Sequence, residues 1–122
     1  MFDYLKKTYK NIGNPIQETI KHTQTDFNNF YWIDDLNNWY AIDIFGKTTL
    51  LANIPPFMKV QIIDKEKILF SRDNILYCLN NVTETVYEIE IVEKSFVKFY
   101  FKDQILSIFT NQGITNYKII LP

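Results

Sequence analysis

The stretch Ala41-Ile42-Asp43-Ile44-Phe45-Gly46-Lys47-Thr48 satisfies a permissive form of the phosphate-binding loop, with Ala41 in the place of the first glycine. Val60-Gln61-Ile62-Ile63-Asp64 imitates the apolar strand whose closing aspartate holds magnesium in such sites. The chemistry on offer would be nucleotide binding. A phosphate cradle, however, needs successive backbone N–H groups turned inward by a pliable loop. Here that loop would be Ile42, Asp43, Ile44 and Phe45, which are bulky, β-branched or negatively charged. Pro55-Pro56 curtails the helix that should offer its N-terminus to the phosphates, and the long helical crossovers of a parallel sheet are missing after Asn29. The expectation is a hairpin corner in which Gly46 supplies the turn and Lys47 points to solvent.

Other reactive side chains are few. His22 is the single histidine and Cys78 the single cysteine, so a multi-histidine metal site and an internal disulfide are both excluded. Ser71, Ser95 and Ser107 lack the glycine-framed elbow of a nucleophilic serine. Cys78, between Tyr77 and Leu79, reads as a small hydrophobe of a strand. Asp34-Asp35 is an adjacent carboxylate pair, and neighbours in a turn point apart rather than across a cleft. No catalytic set emerges, and no cofactor or metal is implied.

One asymmetry remains. Between Lys21 and Lys47 there is no lysine or arginine, while Asp26, Asp34, Asp35 and Asp43 stand beside Phe27, Phe30, Tyr31, Trp32, Trp39 and Tyr40. Trp and Tyr dominate binding energies, and carboxylates around them attract a basic partner. Asp26, Tyr31, Trp32, Asp34, Asp35, Trp39 and Asp43 are therefore the candidate contact residues. Alternation puts Trp39 and Tyr40 on opposite faces, one of them buried.

The elements that must position these residues follow from pattern. The 122 residues, 47% of them hydrophobic and 16% aromatic, suffice for one core and one domain. Phe2, Leu5, Tyr9 and Ile12 recur at helical spacing, Gly13 breaks the stripe, and Asn14-Pro15 with Gln17 restarts it. Residues 1–24 are thus expected to be a helical N-terminal segment. Residues 29–122 read as a mainly β, antiparallel meander of short Ile-, Val-, Phe- and Tyr-rich runs. The expected strands are Phe30–Ile33, Trp39–Phe45, Thr48–Ala52, Met58–Ile63, Lys67–Ser71, Ile75–Leu79, Val86–Val92, Phe96–Phe101, Ile105–Thr110 and Asn116–Leu121. Asp73-Asn74, Lys102-Asp103 and Gln112-Gly113 supply turns.

Three stretches share a plan of strand, turn, strand, loop and strand: FYWIDDLNNWYAIDIFGKTTLLANI, ILFSRDNILYCLNNVTETVYEI and VKFYFKDQILSIFTNQGITNYKI. The second, through RDN-ILYCLN-N-VTET-VYEI, resembles a blade repeat of quinoprotein-like β-propellers, and so does the first through WYAID-IFGK. The resemblance implies hairpin order and a partial propeller, since closed propellers have more blades than this chain supplies. A curled sheet, a sandwich or a half-barrel with the helical segment over one open side is the more economical expectation.

A net charge of −1 speaks against nucleic acid as the main partner, and the absence of an apolar span or signal segment points to the cytoplasm rather than a membrane. A small acidic chain without a catalytic set resembles, in format alone, the bacterial toxin-immunity proteins. The expected function is non-catalytic binding of a basic protein such as a toxin nuclease. A β-rich small-ligand module and a structural component of a phage or secretion assembly are the alternatives.

Overall fold

The computed structural model describes residues 19–26 and 28–122. Of the helical segment expected over residues 1–24, residues 1–18 lie outside the described residues. Its last turn does not form: Ile20–Thr25 is a strand, β1, and His22 sits in it rather than near a helix end. β-branched Ile20, Thr23 and Thr25 favour extended backbone, and the β2 edge offers β1 a partner for its backbone groups.

Eleven strands follow one another: β1 (Ile20–Thr25), β2 (Asn29–Asp34), β3 (Asn38–Asp43), β4 (Thr48–Asn53), β5 (Lys59–Ile62), β6 (Lys67–Arg72), β7 (Ile75–Asn80), β8 (Thr85–Ile89), β9 (Lys98–Lys102), β10 (Ile105–Thr110) and β11 (Gly113–Lys118). All ten expected strands are present, with shifted ends. The third of the expected turns opens β11 at Gly113, so this strand starts and ends before the expected Asn116–Leu121. The strands form three separate antiparallel meanders, β1–β4, β5–β8 and β9–β11, rather than one curled sheet. Among the described residues there is no helix, and no helix able to cross a membrane.

The meanders stack face to face. Tyr31, Ile33, Trp39 and Ala41 of the first pack against Ile62, Ile68, Phe70 and Leu79 of the second, with Ile54 of the connecting segment in the same core. The opposite face of the second, Leu69, Leu76 and Cys78, meets Phe99, Leu106 and Ile108 of the third. The middle sheet is buried on both sides, which is why KILF and ILYCL read as near-continuous apolar runs while β10 alternates. Leu121 of the closing segment docks in the second core, and Lys67 Nζ and Asn80 Nδ2 donate to the Leu121 and Pro122 carbonyls at 3.1 and 3.2 Å.

Two glutamines tie the layers together. Gln24 of β1 accepts from the Ile62 N–H at 3.0 Å and donates to the Ile62 carbonyl, so one side chain closes both backbone groups of a residue in β5. Gln61 of β5 does the same to Phe101 of β9, accepting at 2.8 Å and donating at 2.7 Å. The first strand of each sheet thus clamps the first strand of the next. Beyond the third sheet the pattern stops: its outer face mixes Lys98, Tyr100, Lys102, Ser107, Asn116 and Lys118 with Ile105, Phe109 and Ile114, an exposed surface studded with lysines.

Tight turns use the left-handed residues they require. Asp73 and Asn74 have φ of 53° and 62°, and Asp103 and Gln104 have 53° and 65°, so the second of these turns falls one residue later than Lys102-Asp103.

Candidate functional site

The loop that mimics a nucleotide site is the β3–β4 turn. Gly46 takes φ 84°, and Lys47 is exposed. Asp43 Oδ1 accepts from the amides of Phe45 and Lys47, both at 2.9 Å, and the Gly46 N–H donates to the Asp43 carbonyl at 3.0 Å. The amides that would cradle a phosphate are already taken by a carboxylate from the same turn. Asp64 is likewise engaged, its Oδ1 accepting from Glu66 and Lys67 amides at 2.7 and 3.0 Å in the β5–β6 turn.

A meander brings alternate turns to the same end, so the β1–β2 and β3–β4 turns lie side by side, and the β5–β6 turn joins them. Together they form a cleft of about 550 Å³ bordered by Asp26, Tyr31, Asp43, Asp64 and Glu66, with Lys65 as the one cationic residue among the described residues that line it. Ile44 and Phe45 project from its rim, 66% and 86% exposed. An adjoining hollow of about 320 Å³ on the other side of the same turns shares Asp26, Asp43 and Ile44 and adds Phe30 and Ile42.

The carboxylates are fixed but not exhausted. Asp26 Oδ1 accepts from the Asn28 and Asn29 amides at 2.9 and 2.8 Å, and Oδ2 accepts from Tyr31 Oη at 2.7 Å. Burial pushes this carboxyl up, but the Tyr31 hydroxyl and the two amides together outweigh it and hold Asp26 below the usual carboxylate range. Burial and the neighbouring Asp26 charge push the Tyr31 phenol upwards. One carboxylate oxygen of Asp43 and one of Asp64 have no partner among the described residues, nor does the Glu66 side chain, so these acceptors face the cleft mouth ready for a cation. No group of three or more His, Cys, Asp or Glu among the described residues is placed to hold a metal ion.

The seven residues singled out by composition are dispersed. Asp26, Tyr31 and Asp43 come together at the cleft. Trp39 is fully buried in the first core, with the Tyr31 ring tilted against it at 6.5 Å between ring centroids. Tyr40, half-buried, faces the other way, as alternation requires. Trp32 lies on the outer face of the first sheet between Phe30 and Tyr40, with centroids 6.1 and 5.1 Å away, and is only 3% exposed. Asp34 is buried at the far end of the sheet, where Oδ1 accepts from the Leu36 and Asn38 amides at 2.9 Å each. Asp35 is exposed at that same far turn. Trp32, Trp39 and Asp34 are thus withdrawn from solvent, and Asp35 is remote from the cleft.

Asp64, Glu66, Ile44 and Phe45 were missed as site residues, although a signal existed. Aspartate closing a strand, followed two to four residues later by the amides it caps, recurs at Asp26, Asp34, Asp43 and Asp64. Asp26 and Asp43, in alternate turns of one meander, must share an end. Comparison with family models, curated proteins and solved structures finds no match to this chain.

Proposed function

We propose that this chain is a non-catalytic protein-binding module whose partner is basic, an inhibitor or immunity-type protein acting on a cationic protein such as a toxin nuclease. The observation that carries the reading is the cleft in which Asp26, Asp43, Asp64 and Glu66 surround the exposed Ile44–Phe45 tip. An apolar anchor ringed by acceptors is the anatomy of a small hot spot: the ring desolvates against the partner while the carboxylates steer and orient a lysine- or arginine-bearing surface. In this reading the contact surface is narrower than the aromatic segment as a whole, because the tryptophans serve packing. The three stacked meanders, each clamped through its first strand, support a propeller-like blade plan as the scaffold.

The test is affinity capture from the source cells with the tagged chain, its Phe45→Ala variant and its Glu66→Lys variant, each across a salt series. Both positions are exposed and cap no turn, so the fold should survive. The reading expects one basic protein held stoichiometrically by the native chain, more weakly as salt rises, and lost from both variants. Capture that ignores both substitutions, or no specific capture at all, defeats it.

A further inference from the structure

The opposite end of the molecule carries a second cleft of contrary charge. Lys21 donates to Asn37 Oδ1 in the β2–β3 turn at 2.6 Å, which places it at the end of the first sheet away from Asp26 and Asp43. Beside it the first strands of all three sheets begin, and the hollow between them, about 350 Å³, is bordered by Lys21 and His22 of β1, Lys59 of β5, and Lys98 and Phe99 of β9, with Phe57 on its wall. Among the described residues no carboxylate borders it.

Three observations give this hollow a chemistry. First, Lys59 is exposed and its ammonium has neither a hydrogen bond nor an ion pair among the described residues. Second, the Lys21 ammonium is held rather than free, 4.8 Å above the Phe57 ring centroid as well as bonded to Asn37, so its position is prepaid. Third, the rest of the wall apart from His22 is Phe57, Met58, Val60 and Phe99, and Lys98, whose ammonium lies 5.4 Å over Phe109, adds positive potential without filling the space. Cations set over aromatic and aliphatic walls select a ligand that is charged at one end and apolar at the other.

We propose that this cleft binds a small amphiphilic carboxylate, with the anionic group between Lys21 and Lys59 and the hydrocarbon part against Phe57 and Phe99. The site is separate from the acidic cleft and does not depend on the function proposed for it.

Sodium octanoate is the probe, titrated into the isotope-labelled full chain and followed by backbone amide shifts, with octanol and inorganic phosphate as the two half-ligands. The expected result is saturable movement of the Lys21, His22, Lys59 and Phe99 amides with octanoate, and far weaker binding of either half alone. The Lys21→Gln and Lys59→Gln double variant should weaken octanoate about tenfold, a few-fold for each partly exposed charge pair. Lys59→Glu serves as a second variant at an exposed position, and should abolish the shifts while the spectrum keeps its dispersion. Octanol binding as tightly as octanoate, phosphate binding as tightly as octanoate, or indifference to both variants would each overturn the assignment. Vesicles of anionic lipid provide the last arm: general line broadening in place of discrete shifts, with octanoate inert, would mean a membrane surface rather than a free carboxylate and would equally refute it.

Discussion

Replacing Gln61 by alanine is expected to loosen the joint between the second and third sheets. The side chain makes two hydrogen bonds to one residue, with the Phe101 N–H at 2.8 Å and its carbonyl at 2.7 Å, in a half-buried seam. At about 1 kcal/mol net for each bond, Gln61→Ala should cost about 2 kcal/mol, and incomplete rehydration of the two Phe101 groups would push the figure up rather than down. With a urea slope of about 1.5 kcal/mol/M for a chain of this size, the midpoint should fall by roughly 1 to 1.5 M. Unfolding followed both by tryptophan fluorescence, which reports the first sheet, and by far-ultraviolet circular dichroism would show whether the layers part together. Gln61→Glu sharpens the test. Its introduced carboxyl, when protonated, can accept from the Phe101 N–H and donate to the carbonyl as the amide does; ionised, it faces a carbonyl oxygen. Its folded pKa is therefore raised above the unfolded value of about 4.3, so the stability it confers is present below that value and is lost as pH rises through the folded one. The variant should approach the native chain near pH 4 and fall to the level of Gln61→Ala at neutrality. A loss below about 0.5 kcal/mol for Gln61→Ala, within the range of an inconsequential surface change, or a Gln61→Glu deficit that is the same at both pH values, would refute the clamp as a stabilising device.

Tyr31→Phe removes the hydroxyl that Asp26 accepts at 2.7 Å and should cost about 1 kcal/mol at neutral pH, the low end for a bond to a charged group because Asp26 faces solvent. Since the folded pKa of Asp26 lies below its ordinary 3.8, this contribution is present above that value and lost as pH falls, so urea midpoints of the two proteins should converge in acid. Cys78 is buried and its thiol is pushed up to about 11 by that burial, so it should ignore an aromatic disulfide reagent at pH 8 until urea unfolds the chain; fast reaction of the native protein would contradict its placement. Gln104 holds φ 65°, a left-handed conformation in which glycine is at ease, and Gln104→Gly should raise stability by about 0.5 kcal/mol in the same unfolding assay.

How far the chain discloses this structure depends on the range of the interactions involved. Alternation and turn residues are local, and they locate β2 through β11 to within a few residues; even the three repeated stretches correspond to the three meanders. The division into separate sheets is not local. It depends on which edges the 54–58 and 90–97 connections leave unpaired, and on glutamines reaching strands 38 and 40 residues away. Residues 20–24 close the segment that the restart at Asn14-Pro15 marks as helical, yet tertiary pairing with β2 overrides that local signal. At the site, charge pointed to Asp26 and Asp43, but the same logic included Asp34, which caps a turn in the interior, Trp39, which the stacking of the second sheet buries, and Trp32, which packs between Phe30 and Tyr40 on the outer face.

The lysine-bearing outer face of the third sheet has a consequence for how copies of the chain can meet. Each internal seam joins apolar faces and is locked by a glutamine from a leading strand, a coupling that could in principle repeat without end. Lys102 and Lys118, without a partner among the described residues, act on that series as a chain stopper acts in polymer chemistry, because burying their ammonium groups against another sheet would be costly. On that face a further layer would have to desolvate charge at each lysine, a cost that neither internal seam carries.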